Sequence, residues 1–431
     1  MSKKIIQFIL KILARLVVKR YKPFIIGITG SVGKSSTKEA VYTVLKKHFN
    51  VRTSPKNYNN EIGLPLTILG RQSTNRSFVD WLLIFLGGFF LLIFKQKQYP
   101  KILVLEMAAD HPGDIAYLLK IASCQIGIIT AIGPTHLEFF KTVENVAKEK
   151  SLIVTKLKSH QWAILNADDK IVIGLQPKIK ARVLTFGFSE RADIRALDLN
   201  LSQELVDNEL KIKGLRFKLS YGGSVVPIIL SEIIAEHQVY SVLAAAAVGL
   251  ILELNLLDIA EALKDFKGLA GRMRTLTGKN KSLIIDDSYN SSPRAVERAI
   301  ETLNKIQISP EGNKWVVLGD MLELGQITQE AHRRAGELVA QSQVKYLITV
   351  GQFSKEIIEG AQAAGMSADQ LFSFTDATAT AKFLIGKIKT GDLILVKGSQ
   401  GVRLEKLVKE IMAETERAKE LLVRQGDEWM E

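Results

Sequence analysis

The sequence predicts an α/β fold in which a central ATPase domain of the phosphate-loop type, with a mostly parallel sheet, precedes a Rossmann-like α/β domain. Two observations lead to this prediction. Short apolar runs, typical of buried parallel strands, alternate with helical stretches in two separate blocks. The first of these runs leads directly into a glycine-rich GSVGKSS segment, which is typical of a phosphate-binding loop between a strand and a helix.

The first block begins with an apolar run at 24–29, followed by the glycine-rich segment and by a helix predicted over 36–48. Further buried strands are predicted at 102–106, 126–132, 163–165 and 183–186. A polar β-like region to about residue 230 and an Ala-rich helix over 237–254 complete the block. We therefore predict a central domain at 23–271.

The second block starts at about residue 272, and its strands are predicted at 283–285, 315–318, 346–350 and 393–396. A helical stretch separates each strand from the next, which predicts a second α/β domain at 272–431. The last part, about 404–428, is rich in charged residues and is predicted to form a solvent-exposed terminal helix.

Composition excludes several classes of protein. The chain has 431 residues, of which 47% are hydrophobic and 24% are charged, and this is too apolar for a disordered or low-complexity protein. Its one cysteine, Cys124, excludes an intramolecular disulfide and any cysteine-rich zinc or iron–sulfur site. A reducing, cytoplasmic setting fits this cysteine usage best.

The net charge of +13 is concentrated in two short segments. Residues 1–22 carry seven lysines and arginines and no acidic residue, and residues 71–101 carry five against one aspartate. These two segments therefore hold 11 of the 13 net charges. Because the rest of the chain is nearly neutral, we expect no nucleic-acid partner.

The first basic segment, residues 1–22, is predicted to be an amphipathic helix lying on an anionic membrane surface. Its apolar side chains recur at helical spacing, at Ile5, Ile6, Ile9, Ile12, Leu13, Leu16 and Val17. A signal peptide is disfavoured because Lys11 and Arg15 interrupt the apolar stretch. A helix docked on the protein's own core stays open as the alternative.

The second basic segment contains an apolar insertion at 78–94. Its uninterrupted part, 81–94, has 14 residues, and a helix of about 21 Å is short for a hydrocarbon core of ~30 Å. Gly87-Gly88 suggests a bend, and Trp81, Lys95 and Lys97 are placed as interfacial residues would be. A re-entrant or in-plane segment is therefore favoured over a span, and a buried apolar helix is the alternative.

The glycine-rich segment supplies the candidate nucleotide site. The strict phosphate-loop pattern requires glycine where this chain has Ile28, but the compact T-G-x-x-G-K-[ST]-[ST] form is complete. In such a loop Lys34 reaches the β- and γ-phosphates and the Ser35 hydroxyl holds Mg²⁺. The residues expected to bind ATP here are Thr29, Gly30, Ser31, Val32, Gly33, Lys34, Ser35 and Ser36.

The chain resembles the Mur ligase family, in particular the branch that adds D-alanyl-D-alanine. Besides the compact loop, the resemblance rests on NNEIGLP at 59–65, EMAA at 106–109, PGDI at 112–115, IGPTHLE at 132–138, LNADD at 165–169, GRM at 271–273, DDSYN at 286–290, GDMLELG at 319–325 and VKGS at 396–399. It implies a ligase of peptidoglycan precursor synthesis that uses ATP and Mg²⁺. Such an enzyme joins D-alanyl-D-alanine to a muramoyl peptide through an acyl phosphate.

The resemblance also implies roles for individual residues. Glu106 and Ser35 would hold Mg²⁺, and His136 would belong to a second magnesium site. Lys150 stands where the family carries a carbamylated lysine that acts as a metal ligand, although a solvated Lys148-Glu149-Lys150 face is the alternative. Together with Arg272, the residues Lys34, His136 and Lys150 form the expected catalytic set.

Four further nucleotide contacts are implied, two of them at positions where the chain departs from the family pattern. Arg272 resembles the arginine that clamps the γ-phosphate, and Asp287 resembles the aspartate that orients the ribose or the closing interface. Gln238 and Ser241 stand where the family's adenine-side helix usually carries asparagines. Gln238 keeps the donors and acceptors of an amide, whereas Ser241 cannot reproduce the donor–acceptor pair of an asparagine.

The acceptor is left open by the sequence. The phosphate loop starts at residue 29, so we expect that the family's N-terminal domain for the uridine-diphosphate sugar is missing, with the basic helix in its place. A muramoyl peptide is the first expectation, and a lipid-linked or other acceptor is the alternative. A non-catalytic membrane scaffold is the second alternative. We expect a cytoplasmic enzyme peripheral at the inner membrane face, of undetermined oligomeric state.

Overall fold

A computed structural model describes residues 2–54, 58–72, 78–206, 209–426 and 429. The chain divides into two compact units. The first comprises the residues up to Asp198 together with Phe217–Ile228 and Gln238–Phe266. The second comprises Leu199–Arg216, Ile229–His237 and the chain from Lys267 onward.

The first unit is built on a parallel sheet. Its strands are β1 (Phe24–Thr29), β2 (Val51–Thr53), β3 (Ile102–Glu106), β4 (Ile126–Ile129), β5 (Trp162–Asn166) and β6 (Arg182–Gly187). They lie in the order β2-β3-β1-β4-β5-β6, with all neighbours parallel. Their side chains are largely buried because helices flank such a sheet. The order then continues through β7 (Ile194–Val206), β8 (Glu209–Tyr221) and β9 (Ser224–Leu230).

Ten α-helices of the described chain belong to the first unit. They are α1 (Lys3–Tyr21), α2 (Lys34–Leu45), α3 (Gly63–Leu69), α4 (Phe78–Ile93), α5 (Asp114–Ile121), α6 (Leu137–Phe140), α7 (Val143–Thr155), α8 (Lys170–Ile173), α9 (Val239–Ile251) and α10 (Leu256–Leu263). Since β1 pairs with β3 and β4, the loops that follow these three strands open at one edge of the sheet.

Helix α1 packs on the protein's own core through one face. Its buried side chains are Ile6, Leu10, Leu13, Ala14 and Val17, and they contact α3, α4 and α5. For this face of α1, the alternative prediction of a helix docked on the protein's own core is therefore correct. The opposite face leaves large apolar side chains exposed, at Ile5, Phe8, Ile12 and Leu16.

Helix α4 is continuous through Gly87 and Gly88, so the predicted bend is wrong. The two glycines allow close packing instead: a Cβ on Gly88 would lie 3.1 Å from Cδ1 of Leu13, and a Cβ on Gly87 would meet the guanidinium of Arg71. Trp81 is buried, so its predicted interfacial position is also wrong.

The other face of α4 is exposed and apolar, at Val79, Leu82, Leu83, Leu86, Phe89, Phe90 and Ile93, followed by Phe94. Among the helices of the described residues, none combines the length and hydropathy needed to cross a bilayer.

The second unit has a six-stranded sheet that is parallel except at one edge. Its strands are β10 (Arg274–Thr277), β11 (Leu283–Asp287), β12 (Lys314–Gly319), β13 (Tyr346–Val350), β14 (Leu371–Phe374) and β15 (Leu393–Lys397). The order is β10-β11-β15-β12-β13-β14, and only β10 is antiparallel to its neighbour. The helices are α11 (Pro293–Lys305), α12 (Thr328–Ala340), α13 (Ser354–Ala363), α14 (Ala377–Ile385), α15 (Glu405–Ile411) and α16 (Ala418–Leu421). The predicted fold class is thereby confirmed.

The solvent-exposed terminal helix predicted at 404–428 is wrong. The described part of this segment forms the two short helices α15 and α16, whose apolar side chains join a core of the second unit, at Leu404, Leu407, Val408, Ile411, Leu421 and Leu422. The prediction assumed that the charged residues face solvent. Glu405, however, is fully buried and forms ion pairs with Arg403 and Arg424. Residues 427–428 and 430–431 lie outside the described residues.

Candidate active site

The phosphate loop joins the end of β1 at Thr29 to the start of α2 at Lys34. Gly30 and Gly33 have φ values of 152° and 84°, a region that strongly favours glycine. A Cβ on Gly30 would lie only 2.0 Å from Oγ1 of Thr130, so no larger residue fits there. The predicted loop thus has the backbone form that places N–H groups at a helix N-terminus, where they bind phosphate.

Hydrogen bonds fix this loop to the chain that follows β4. Ser31 donates its amide to the carbonyl of Ala131 at 2.7 Å. The Ser31 hydroxyl donates to the carbonyl of Gly133 at 3.0 Å and lies 3.2 Å from Oγ1 of Thr135. These contacts tie the phosphate loop to the segment that carries His136.

The polar residues of the loop take the positions that a nucleotide phosphate site requires. The ammonium of Lys34 donates to the carbonyls of Gly30 at 2.8 Å and Ser31 at 3.4 Å, which places it over the loop. Ser35 and Ser36 are buried in the first turn of α2. This arrangement fits the charge and the donor pattern of a triphosphate.

Glu106 ends β3 beside the phosphate strand, since the register pairs it with Ile28. Its side chain is 2% exposed, and Oε1 accepts a hydrogen bond from Nδ2 of Asn59 at 3.0 Å. Oε2 has no hydrogen-bond partner, although Nζ of Lys38 lies 3.9 Å away. A buried carboxylate oxygen without a donor is costly unless a cation approaches it. Glu106 therefore fits the Mg²⁺ that a nucleotide triphosphate brings.

His136 adopts a left-handed backbone conformation just before α6, with φ 51°. Its side chain is exposed, and Nε2 lies 3.4 Å from Oδ1 of Asp110. Within the described ranges, no group of three or more His, Cys, Asp or Glu side chains is placed to hold a metal ion. The assignment of His136 to a second magnesium site stays a prediction.

Lys150 is buried in α7, so its side chain does not belong to a solvated face. Burial, reinforced by the positive charge of Lys34, lowers the pKa of Lys150 to about 7, and three neighbouring carboxylates oppose this shift only in part. Lys148 on the same helix is exposed.

The two residues predicted to contact the adenine, Gln238 before α9 and Ser241 in α9, lie in the first unit. Gln238 and Ser241 are buried, and the Ser241 hydroxyl accepts from Oγ1 of Thr37 in α2 at 3.2 Å. The hydroxyl of the preceding residue, Tyr240, donates to Oδ2 of Asp168 at 3.0 Å. Ser241 therefore makes a contact between helices, and Asp168 and Tyr240 are polar groups near it that the sequence prediction did not include.

Arg272 and Asp287 belong to the second unit. Asp287 is buried, and its Oδ2 accepts from the ammonium of Lys397 at 2.6 Å. Burial raises the pKa of Asp287, and the charge of Lys397 opposes that shift. The guanidinium of Arg272 lies over the ring of Tyr289, 4.2 Å from its centroid. Lys397 thus forms an ion pair with Asp287, and Arg272 lies against an aromatic ring.

A cationic environment surrounds His237 in the same unit. Burial, together with the positive charges of Arg298, Lys397 and Arg272, lowers the pKa of His237 to about 3. The imidazole is therefore neutral at physiological pH.

Several residues of the site were missed by sequence reasoning. Asn59 binds Glu106 from 47 positions away, and Lys38 lies beside the same carboxylate. Arg424 donates to the carbonyls of Ser288 at 3.3 Å and of Tyr289 at 2.5 Å. The block NNEIGLP was a signal for Asn59, whereas no pattern around Arg424 indicated its contacts.

Comparison with known families matches most of the chain. The family model described as "Mur ligase middle domain" matches residues 28–79 and 88–249, and "Mur ligase, glutamate ligase domain" matches residues 271–400. Among curated proteins, a UDP-N-acetylmuramoyl-tripeptide–D-alanyl-D-alanine ligase of Bacillus subtilis is 28% identical over 93% of this chain and 78% of its own length. The Mycobacterium bovis protein of the same name is 30% identical over 90% of this chain and 73% of its own length.

Solved structures agree with this match. MurF from Thermotoga maritima, solved in complex with ADP, is 28% identical, with a TM-score of 0.75 over 97% of this chain and 86% of the other. MurF from Acinetobacter baumannii is 26% identical, with a TM-score of 0.76 over 94% of this chain and 80% of the other. Together with the phosphate loop and Glu106, these likenesses show that the chain belongs to the Mur ligase family of ATP- and Mg²⁺-dependent ligases.

Proposed function

We propose that the protein adds D-alanyl-D-alanine to the carboxylate of a muramoyl peptide during peptidoglycan precursor synthesis in the cytoplasm. The proposal is supported by the names of the relatives, which are UDP-N-acetylmuramoyl-tripeptide–D-alanyl-D-alanine ligases aligned over 90% or more of this chain. The γ-phosphate of ATP activates the acceptor carboxylate as an acyl phosphate, which the amine of D-alanyl-D-alanine then attacks. Such chemistry depends on positioning and charge neutralisation more than on a nucleophilic side chain.

The observation that carries the proposal is the pairing of the phosphate loop with Glu106. The register of β1 and β3 puts a buried carboxylate with an unpartnered oxygen next to the loop. Lys34 neutralises phosphate charge, and Ser35 with Glu106 holds the Mg²⁺, which supplies further charge neutralisation on the phosphates when bound. Asn59 orients Glu106 by occupying its other oxygen.

We assign Lys150 and His136 to the same centre. A lysine reacts with CO₂ only as the neutral amine, and the burial of Lys150 supplies that form near neutral pH. The resulting carbamate is a carboxylate-like ligand that favours a second cation. His136, held toward Asp110, would complete this ligand set from the loop after β4.

The remaining assignments concern nucleotide binding. Gln238, which precedes α9, and Ser241 in α9 contribute from the first unit, near Tyr240 and Asp168. Arg272 and Asp287 contribute from the second unit, where Arg272 belongs to the cationic cluster around His237. An arginine suits a terminal phosphate because its fork of donors matches two oxygens.

The ligase proposal is tested by ADP formation with D-alanyl-D-alanine and a muramoyl tripeptide. ADP release should require both substrates and Mg²⁺, and Lys34→Ala should abolish it while the variant stays folded. Leu257→Glu is a matched control because Leu257 is 70% exposed on α10, far in sequence from the loop. ADP formation that ignores either substrate would contradict the proposal.

We further propose that α1 and α4 hold the enzyme peripherally on an anionic membrane at the inner face. Their exposed apolar side chains account for twelve of the large hydrophobics exposed in the described chain, with Phe94 included. Basic residues flank this apolar face at both ends, at Lys3, Lys4, Lys19, Arg20, Lys22, Lys95 and Lys97. Apolar side chains framed by lysine and arginine fit the interface of an anionic bilayer.

A further inference from the structure

A pocket of about 280 Å³ lies at the N-terminal end of α1, within the first unit. It is lined by Lys3, Asn60, Glu61, Ala108, Asp110, His111, Asp114, Tyr117 and Leu118. One of these residues, Asp110, is also the partner of His136. The pocket therefore adjoins the segment assigned to the chemistry, although no nucleotide contact accounts for it.

Helix α1 contributes Lys3 to the lining of this pocket and contacts two further lining residues, Glu61 and Tyr117. Nε2 of Gln7 donates to Oε1 of Glu61 at 2.8 Å, and Nζ of Lys3 lies 3.2 Å from the same oxygen. Glu61 belongs to the segment in which Asn59 holds Glu106. On the other side, the ammonium of Lys11 lies 4.4 Å from the ring centroid of Tyr117. The membrane-facing helix and the magnesium-side segment thus share direct contacts.

The exposed apolar face of α1 begins next to the pocket. Ile5 and Phe8 are 51% and 64% exposed and follow Lys3 within about 8 Å along the helix axis. A molecule with its polar end in the pocket would therefore have its other end beside the apolar face. The polar lining of carboxylates, an amide and a phenol suits the N–H groups of a peptide.

We infer that the acceptor is an amphiphile, a peptide with a free carboxylate carried on a lipid that stays in an anionic bilayer. The inference rests on the proposed ligase function and names its substrate class. The exposed apolar side chains of α1 insert into the bilayer, and the pocket then lies at the level of the lipid headgroups. Helix α1 and residues 80–87 of α4, which carry part of this face, lie outside the residues matched by the family model, whereas Phe89, Phe90 and Ile93 lie within them.

The test compares two acceptors that carry the same muramoyl tripeptide, one on a soluble nucleotide and one on a long-chain lipid in phosphatidylglycerol vesicles. ADP formation with D-alanyl-D-alanine is measured for both. We expect kcat/KM to be at least about tenfold higher for the lipid-borne acceptor. Equal or better use of the soluble acceptor would overturn the inference and leave the ligase function standing. No ADP with either acceptor would overturn both.

Variants on the apolar face separate membrane presentation from folding. Phe8→Glu and Phe89→Glu each place a charge at an exposed position, so the thermal unfolding midpoint should be unchanged. Each should lower turnover of the lipid-borne acceptor about tenfold. Leu257→Glu, on the exposed side of α10, is the control and should have no effect. Full turnover by both phenylalanine variants would overturn the inference.

Discussion

Asn59 donates a hydrogen bond of 3.0 Å to Oε1 of Glu106, and Oε2 of the same carboxylate has no hydrogen-bond partner. The amide fixes one oxygen of the group and leaves the other for a cation. Since β3 lies beside β1, that oxygen is on the side of the sheet where the phosphate loop begins.

Glu106→Gln should therefore separate catalysis from stability. The neutral amide keeps the shape but loses the charge that attracts Mg²⁺, so ADP formation should fall about a hundredfold or more. The variant should stay folded, because the oxygen of the Gln amide can still accept the hydrogen bond from Nδ2 of Asn59, and thermal unfolding checks this. Glu138→Gln, exposed in α6 two residues after His136, should leave activity unchanged. A Glu106→Gln enzyme with normal activity would contradict the magnesium assignment.

Lys150→Ala should lower activity about a hundredfold and respond to added carboxylates. Removal of the side chain leaves space in which acetate or formate can replace the carbamate, so either anion should restore part of the activity. Lys148→Ala, exposed two positions earlier, is the control. In the native enzyme, isotope-labelled bicarbonate should give a carbamate signal by NMR, and its absence would contradict the assignment.

The pH dependence of activity follows from the pKa of Lys150. The pKa of Lys150 is about 7 in the folded protein, against an ordinary value of 10.5. The amine is therefore mostly neutral above pH 7, and protonation below pH 7 removes the form that reacts with CO₂. Sensitivity of activity to bicarbonate depletion should grow as the pH falls through 7. Because the folded-state pKa is depressed, burial of Lys150 also costs stability progressively as the pH falls from 10.5 toward 7.

Arg424 should act on nucleotide use through the DDSYN loop. It donates to the carbonyls of Ser288 and Tyr289, and the ring of Tyr289 supports Arg272. Arg424→Lys should lower kcat/KM for ATP about tenfold, because one ammonium cannot reproduce the guanidinium fork. Arg417→Ala, which removes only exposed ion pairs, should change kcat/KM little. An unchanged kcat/KM for ATP in Arg424→Lys would contradict this role.

Packing of α1 on the first unit predicts a contrast between two leucines. Leu13 is buried against α4 near Gly88, and Leu16 is exposed on the opposite face. Leu13→Ala should lower the free energy of unfolding by about 2–5 kcal/mol, and Leu16→Ala should change it by less than about 0.5 kcal/mol. Denaturant unfolding measures both, and equal effects would show that α1 is not docked in this way.

The sequence was informative where the chemistry is local. The phosphate loop consists of consecutive residues between a strand and a helix, so its glycines and Lys34 were predictable. Glu106 was predictable because an ionised carboxylate at the end of a buried strand requires a partner. The strands of both units were predictable from their apolar runs, because parallel strands are buried on both faces of the sheet.

Features that depend on distant residues were not predictable in this way. Asn59 and Glu106 are far apart in the sequence and come into contact only in the folded sheet. Arg424 forms an ion pair with a buried carboxylate, that of Glu405, which no sequence pattern indicated. Helix α1 is apolar on two faces, and periodicity alone could not assign one face to the core and the other to the surface.

The transfer of oxygen tests the central claim most directly. If the acceptor carboxylate is activated as an acyl phosphate, one of its oxygens leaves with the phosphate when the amine of D-alanyl-D-alanine attacks. With a muramoyl tripeptide labelled with heavy oxygen in that carboxylate, we predict one labelled oxygen in the released phosphate for each amide formed. ADP formation with unlabelled phosphate would contradict the account.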